Sequence, residues 1–180
     1  MSLPQQSFIP ELDLWVETTE SIAVSLGDLL PTNSIWETWF KAWLTELKPS
    51  SSPIGRYEVS LLLTDDATIQ HLNAQYRHQD KATDVLAFAA QETAIPGSQL
   101  LYQTSPLPLG DVVISVEIAQ RQRHAANYSL TQELAWLAAH GLLHLLGWDH
   151  PDDTSLKTML EKQHSLLQKV GLVFSNMAVD

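Results

Sequence analysis

The chain has 180 residues, 44% of them hydrophobic and 17% charged, a balance that predicts a soluble domain with a sizeable core. A net charge of −11 argues against a general nucleic-acid coat, which needs a basic surface, and leaves only a local basic cleft open. There are no cysteines, which rules out disulfides and thiolate zinc sites and fits a reducing compartment.

Residues 1–10 read as a loose arm, without the basic start and apolar core of a signal peptide. Glu11 to Val16 alternates acidic and apolar residues, as a half-buried strand does, and 17–31 is ambiguous. Ser34 to Glu37 has the spacing of a capping box, and Ile35, Trp36, Trp39, Phe40, Trp43, Leu44 and Leu47 follow at helical intervals. The tryptophans read as core, with a stacking platform for RNA bases as the alternative. Lys48 to Pro53 is a loop, and Tyr57 to Leu63 a strand rich in β-branched and apolar residues. Thr64-Asp65-Asp66 caps a helix ending near Tyr76, and Asp84 to Ala89 reads as another strand.

Gln91 to Pro108 holds three prolines and no periodicity, the kind of long loop that serves as a lid or substrate loop. Gly110 to Ser115 reads as a buried strand, followed by a helix from Val116 to about Ala126. Ser129 to Gln132 is a second capping box, opening a helix whose buried surface is Leu134, Leu137, Ala138, Leu142 and Leu145. Gly147 ends that helix, and a last one runs from about Thr154 to Val170, stopped by Gly171. The longest apolar stretch, around Leu134 to Trp148, is too short to span a membrane. The expected fold is α/β (α+β): one domain over residues 1–180, a small mixed four-stranded sheet with helices packed on it.

Three histidines, His140, His144 and His150, fall within eleven residues. The first two are four apart, so on a helix both imidazoles leave one face, and Gly147 lets the chain fold His150 back towards them. Three converging imidazoles with a fourth position free make an open, catalytic zinc site rather than a closed structural one. The spacing resembles the metzincin signature H-E-x-x-H-x-x-G-x-x-H, which makes the helix zincin-like. Gly141 stands where that signature needs its glutamate base, so a metal cage is kept and the protease base is absent.

The window reads His140-Gly-Leu-Leu-His144-Leu-Leu-Gly147-Trp-Asp149-His150, and two further segments accompany it. These are Asn73-Ala-Gln-Tyr76-Arg77-His-Gln-Asp80-Lys-Ala82-Thr83-Asp84-Val-Leu-Ala87-Phe88-Ala89 and Leu109-Gly-Asp111-Val-Val-Ile-Ser115. Together, over roughly residues 55–170, they resemble the YbeY family of bacterial metal-dependent endoribonucleases, with alanines at 82, 87 and 89 where the family has proline, serine and proline. The resemblance implies one zinc on His140, His144 and His150, and cytoplasmic cleavage of single-stranded RNA in ribosomal RNA maturation, notably at the 3′ end of the small-subunit RNA. It implies a phosphate-handling role for Arg77.

The candidate catalytic residues are then Arg77 and His140, and the metal ligands His140, His144 and His150. Arg77 has a plainer alternative, a surface pairing with Asp80 or Asp84. Asp149 either orients a histidine or caps the turn. His78 and His124 flank arginines and read as solvated positions that could meet phosphate, and His71 and His164 carry no assigned role. Three functions stay open: a zinc endoribonuclease, a protease-like hydrolase that the missing glutamate disfavours, and a ribosome-assembly factor with a structural metal. The acidic charge leaves room for a ribosomal or GTPase protein partner that brings the chain to small-subunit RNA.

Overall fold

The computed structural model describes residues 9–93 and 97–174 and, for 98, 99 and 124–126, the backbone alone. Most of the expected arm, residues 1–8, lies outside the described residues, as do the tip of the 91–108 loop and the side chain of His124.

Among the described residues, four strands form one mixed sheet in the order β1-β2-β4-β3. They are β1 (Glu11–Thr18), β2 (Arg56–Thr64), β3 (Val85–Ala89) and β4 (Leu107–Ser115). β1, β2 and β4 run parallel, and β3 runs antiparallel on the outside of β4. The helices are α1 (Glu20–Leu26), α2 (Asn33–Leu47), α3 (Asp66–Arg77), α4 (Val116–Ala126), α5 (Leu130–Leu145) and α6 (Asp153–Lys169). This is the small mixed sheet with helices packed on it that the sequence predicts.

Period-two burial in β2 sends Tyr57, Val59, Leu61 and Leu63 to one face. There they meet Leu109, Val112 and Ile114 of β4 and the apolar sides of α2, α5 and α6 in the main core. The opposite face carries a smaller cluster of Ile69, Leu86 and Val113, covered by α3. Two sheet faces with different lids leave the β3 side of α5 as the edge where a cleft can open. The tryptophans of α2 belong to the core: Trp36 and Trp43 are fully buried, and Trp43 Nε1 donates to the Leu166 carbonyl at 2.9 Å, tying α2 to α6. They offer no stacking platform.

The capping box expected at Ser34 to Glu37 does not form. The helical ladder begins at the Thr32 carbonyl, which accepts from Ile35 and Trp36, so Ser34 already lies inside the first turn. Ser34 instead shares a hydroxyl hydrogen bond with Thr32, and Glu37 pairs with Lys41 one turn on. The ambiguous 17–31 segment resolves into the end of β1, which stays in register with β2 to Thr18, and the short α1, anchored by Ile22. The 91–108 segment is less irregular than its prolines suggest. Short 3₁₀ turns cover Ala90–Thr93 and Ser98–Gln103, and β4 begins at Leu107. Pro108, which has no N–H for the ladder, falls where the β2–β4 register shifts.

Candidate metal centre

α5 is fixed at both ends before it presents its histidines. Ser129 Oγ accepts from the Gln132 N–H, and Gln132 Oε1 accepts from the Ser129 N–H, the full capping box the sequence predicts. At the other end the N–H groups of Gly147 and Trp148 donate to the carbonyls of His144 and Leu143, at 2.9 and 3.0 Å. Gly147 sits at φ +84°, the left-handed conformation this Schellman closure requires. A second capping box, between Asp152 and Ser155, starts α6 and pins the far side of the turn. His150 is therefore folded back against the helix the chain has just left. Asp149 accepts from the His150 backbone N–H at 2.8 Å and steadies that turn.

One nitrogen from each of His140, His144 and His150 lies within 4.8 Å of the other two. The Nε2 atoms of His140 and His144 are 3.0 Å apart. A tetrahedral ion about 2.0–2.1 Å from each ligand nitrogen sets neighbouring nitrogens about 3.4 Å apart, so the donor set fits zinc. Burial, and then the neighbouring His144, hold His140 below the ordinary histidine pKa; burial, and then His150, do the same for His144. Both rings are thus neutral near neutral pH and have lone pairs to give.

Gly141 has a structural reason beyond the missing carboxylate. A Cβ there would lie 2.6 Å from Cγ1 of Val112 on β4, closer than any side chain tolerates. The helix carrying the histidines is pressed backbone-first onto the sheet, and no glutamate fits at that position. The protease-like reading has no base and no room for one.

Beside the triad lies a polar cavity of about 510 Å³, whose lining includes Asn73, Arg77, Ala87, His140, His144 and Asp149. Arg77 ends α3. Its Nη2 donates to the Ala87 carbonyl at 2.8 Å and its guanidinium lies over the Phe88 ring, 5.6 Å from the centroid. Among the described residues it makes no ion pair: Asp80 accepts from Gln70 and Asp84 from Gln122. Asn73, buried behind Arg77, donates to the Lys81 carbonyl and holds the loop that leads into β3. A larger, more apolar hollow of about 610 Å³ lies on the other face of the sheet, beside Trp15, Leu62 and Tyr76. Among the described residues the triad is the site with metal-ligating geometry.

His71 and His78 are exposed, and His164 faces Gln168 on α6. Sequence reasoning passed over Gln163, which is fully buried and lies with its Oε1 3.2 Å from His140 Nδ1. The signal was present: Met159, Gln163, Leu166 and Leu167 share the buried stripe of α6, and a glutamine on such a stripe must find partners.

A family model described as Endoribonuclease YbeY matches residues 27–171. The chain belongs to the YbeY family. A protein from Trichormus variabilis named Endoribonuclease YbeY is 50% identical over 162 residues, covering 89% of this chain and 92% of its own. One of the same name from a Cyanothece species is 58% identical over 157 residues, covering 87% and 92%. The solution structure of a Thermotoga maritima protein aligns with a TM-score of 0.53 at 25% identity, over 88% of this chain and 89% of that one. YbeY membership together with the triad makes this chain an enzyme, a metal-dependent hydrolase of the endoribonuclease kind. The motif resemblance spans roughly 55–170, whereas the YbeY match reaches back to residue 27 and takes in α2.

Proposed function

We propose that this chain is a zinc-dependent endoribonuclease for single-stranded RNA, acting in the cytoplasm as one hydrolase domain. Its task is ribosomal RNA processing at the 3′ end of the small-subunit RNA, and ribosome quality control. What carries the reading is the cluster of three imidazoles, two of which line a single polar cavity together with the guanidinium of Arg77.

His140, His144 and His150 hold the zinc, with α5 acting as a zincin-like metal helix. A zinc ion held by these imidazoles would supply positive charge to a phosphoryl oxygen and would lower the pKa of bound water to about 7. Arg77 binds the scissile phosphate from across the cavity. One of its donors is committed to the Ala87 carbonyl and its plane rests on Phe88, so its remaining donors are aimed before substrate arrives. In this reading the guanidinium offsets the negative charge that grows in the transition state. Asp149 acts on the third ligand through the backbone, holding the turn that carries His150.

The net charge of −11 is a poor match for free RNA, which favours delivery by the small subunit or by a ribosomal or GTPase protein partner. The test is cleavage of an RNA carrying the 3′ end of small-subunit RNA, single-stranded or annealed to a complement. The single strand is cut, chelation stops the cut, zinc restores it, and salt weakens binding only modestly. Cleavage that survives complete chelation overturns the zinc reading, and a steep loss of binding with salt overturns partner delivery.

A further inference from the structure

Gln163 is a side chain the zinc reading leaves without work, and its two contacts fix more than its own position. The residue is fully buried between α6 and α5. Its Nε2 donates to the Trp136 carbonyl at 2.8 Å. A backbone carbonyl only accepts, so the amide nitrogen must face Trp136 and the amide oxygen must face the other way. The other way is His140 Nδ1, at 3.2 Å. An amide oxygen only accepts as well, so the proton between them belongs to His140 Nδ1. A neutral imidazole carries one ring proton, and the lone pair is left on Nε2, the nitrogen turned towards His144 and the site.

A second contact agrees. The Nε2 atoms of His140 and His144 are 3.0 Å apart, which without an ion requires one of them to accept. His140 Nε2 is the acceptor that the Gln163 contact leaves available.

We propose that Gln163 is a positioning residue for the metal centre: it selects the Nδ1–H tautomer of His140 and holds the ring so that Nε2 is presented as a ligand. Trp136 and His140 are one turn apart on α5, so the amide clips the backbone and the ring of the same helix together. Its anchor lies on another helix, which couples the ligand to the packing of α6 on α5. Both ends of the buried amide have a partner, the nitrogen on a carbonyl and the oxygen on a ring nitrogen. The inference rests on the zinc reading for its consequence and not for its geometry.

The experiment uses the full chain, wild type beside Gln163→Leu and Gln163→Glu, the last of which keeps an oxygen acceptor towards His140. Zinc affinity is read by chelator competition, and the His140 tautomer by ¹⁵N NMR of the side-chain nitrogens in metal-free protein. Gln163→Leu should bind zinc about 10–100-fold more weakly, and Gln163→Glu should remain within about tenfold of wild type. Wild-type His140 should show the proton on Nδ1. A folded Gln163→Leu protein with wild-type zinc affinity overturns the proposal. So does wild-type His140 protonated on Nε2, a measurement that holds even if Gln163→Leu fails to fold. Failure of the zinc reading is separate: it would appear as wild type that takes up no zinc while His140 still carries its proton on Nδ1.

Discussion

Replacing Gly141 with alanine sets two known effects against each other at one atom. In a helix interior alanine is better than glycine by about 1 kcal/mol, from backbone entropy and propensity alone. Against that, the new methyl would stand 2.6 Å from Cγ1 and 3.0 Å from Cγ2 of Val112. Val112 is fully buried on β4, an interior strand, and its β-branched side chain has little rotamer freedom to retreat. Overpacking of this kind costs about 1–3 kcal/mol, so the net expectation for Gly141→Ala is a loss of up to about 2 kcal/mol. The relief has to come from α5 lifting off the sheet, which moves His140 and lowers zinc affinity as well. Urea unfolding of metal-free protein near neutral pH reads the first effect, and chelator competition the second. The decisive arm is the double variant with Val112→Ala. Removing the valine methyls opens a cavity in wild type but relieves the clash when Gly141→Ala is also present, so the two changes should be non-additive by about 1 kcal/mol or more, in the favourable direction. Gly141→Ala clearly more stable than wild type, or strict additivity with Val112→Ala, would refute the packing explanation for this glycine.

Arg77→Ala should lower RNA cleavage by about 10²–10³-fold, the loss expected of a fixed charge donor, with zinc content unchanged; full activity in the variant removes the phosphate role. Glu133 lies buried on α5, where burial and then the nearby Asp84 raise its pKa from 4.5 to about 6. The native state therefore holds a proton more tightly than the unfolded chain, and the group's contribution to stability falls as pH rises from 4.5 to about 6. Glu133→Gln should then stabilise metal-free protein by up to about 2 kcal/mol above that window and by little below it, as read by urea titrations across the range. A benefit independent of pH would show that the carboxyl is not the cause. Trp43→Phe strands the buried Leu166 carbonyl and should cost about 1–3 kcal/mol in the same titrations, with m unchanged.

The parts of this molecule that local chemistry decides were legible. Ser129 and Gln132 cap α5 as their spacing requires, and Gly147 closes it in the left-handed conformation. The histidine window then follows from helical phase plus one turn, and the three histidines meet where the spacing puts them. The parts that depend on distant contacts were not. Ser34 and Glu37 have capping-box spacing, but the ladder starts at Thr32 so that Trp36, Phe40 and Trp43 face the core. Residues 20–26 bury Ile22 fully and Leu26 in part, too little for periodicity to register. Gly141 shows as an absent base in the sequence, while its cause is a valine 29 positions earlier on a strand. Gln163 is 23 residues from His140, and only the packing of α6 on α5 brings them together.

The proposed function requires that RNA cleavage take place at the histidine triad and depend on the metal held there. The most direct test measures cleavage and zinc content together, on purified wild type and on His144→Ala. Wild type should carry zinc and cleave the RNA, and the variant should lose both while keeping its fold. Zinc-loaded wild type that leaves RNA intact even with ribosomes supplied, or a His144→Ala protein that still cuts, would contradict it.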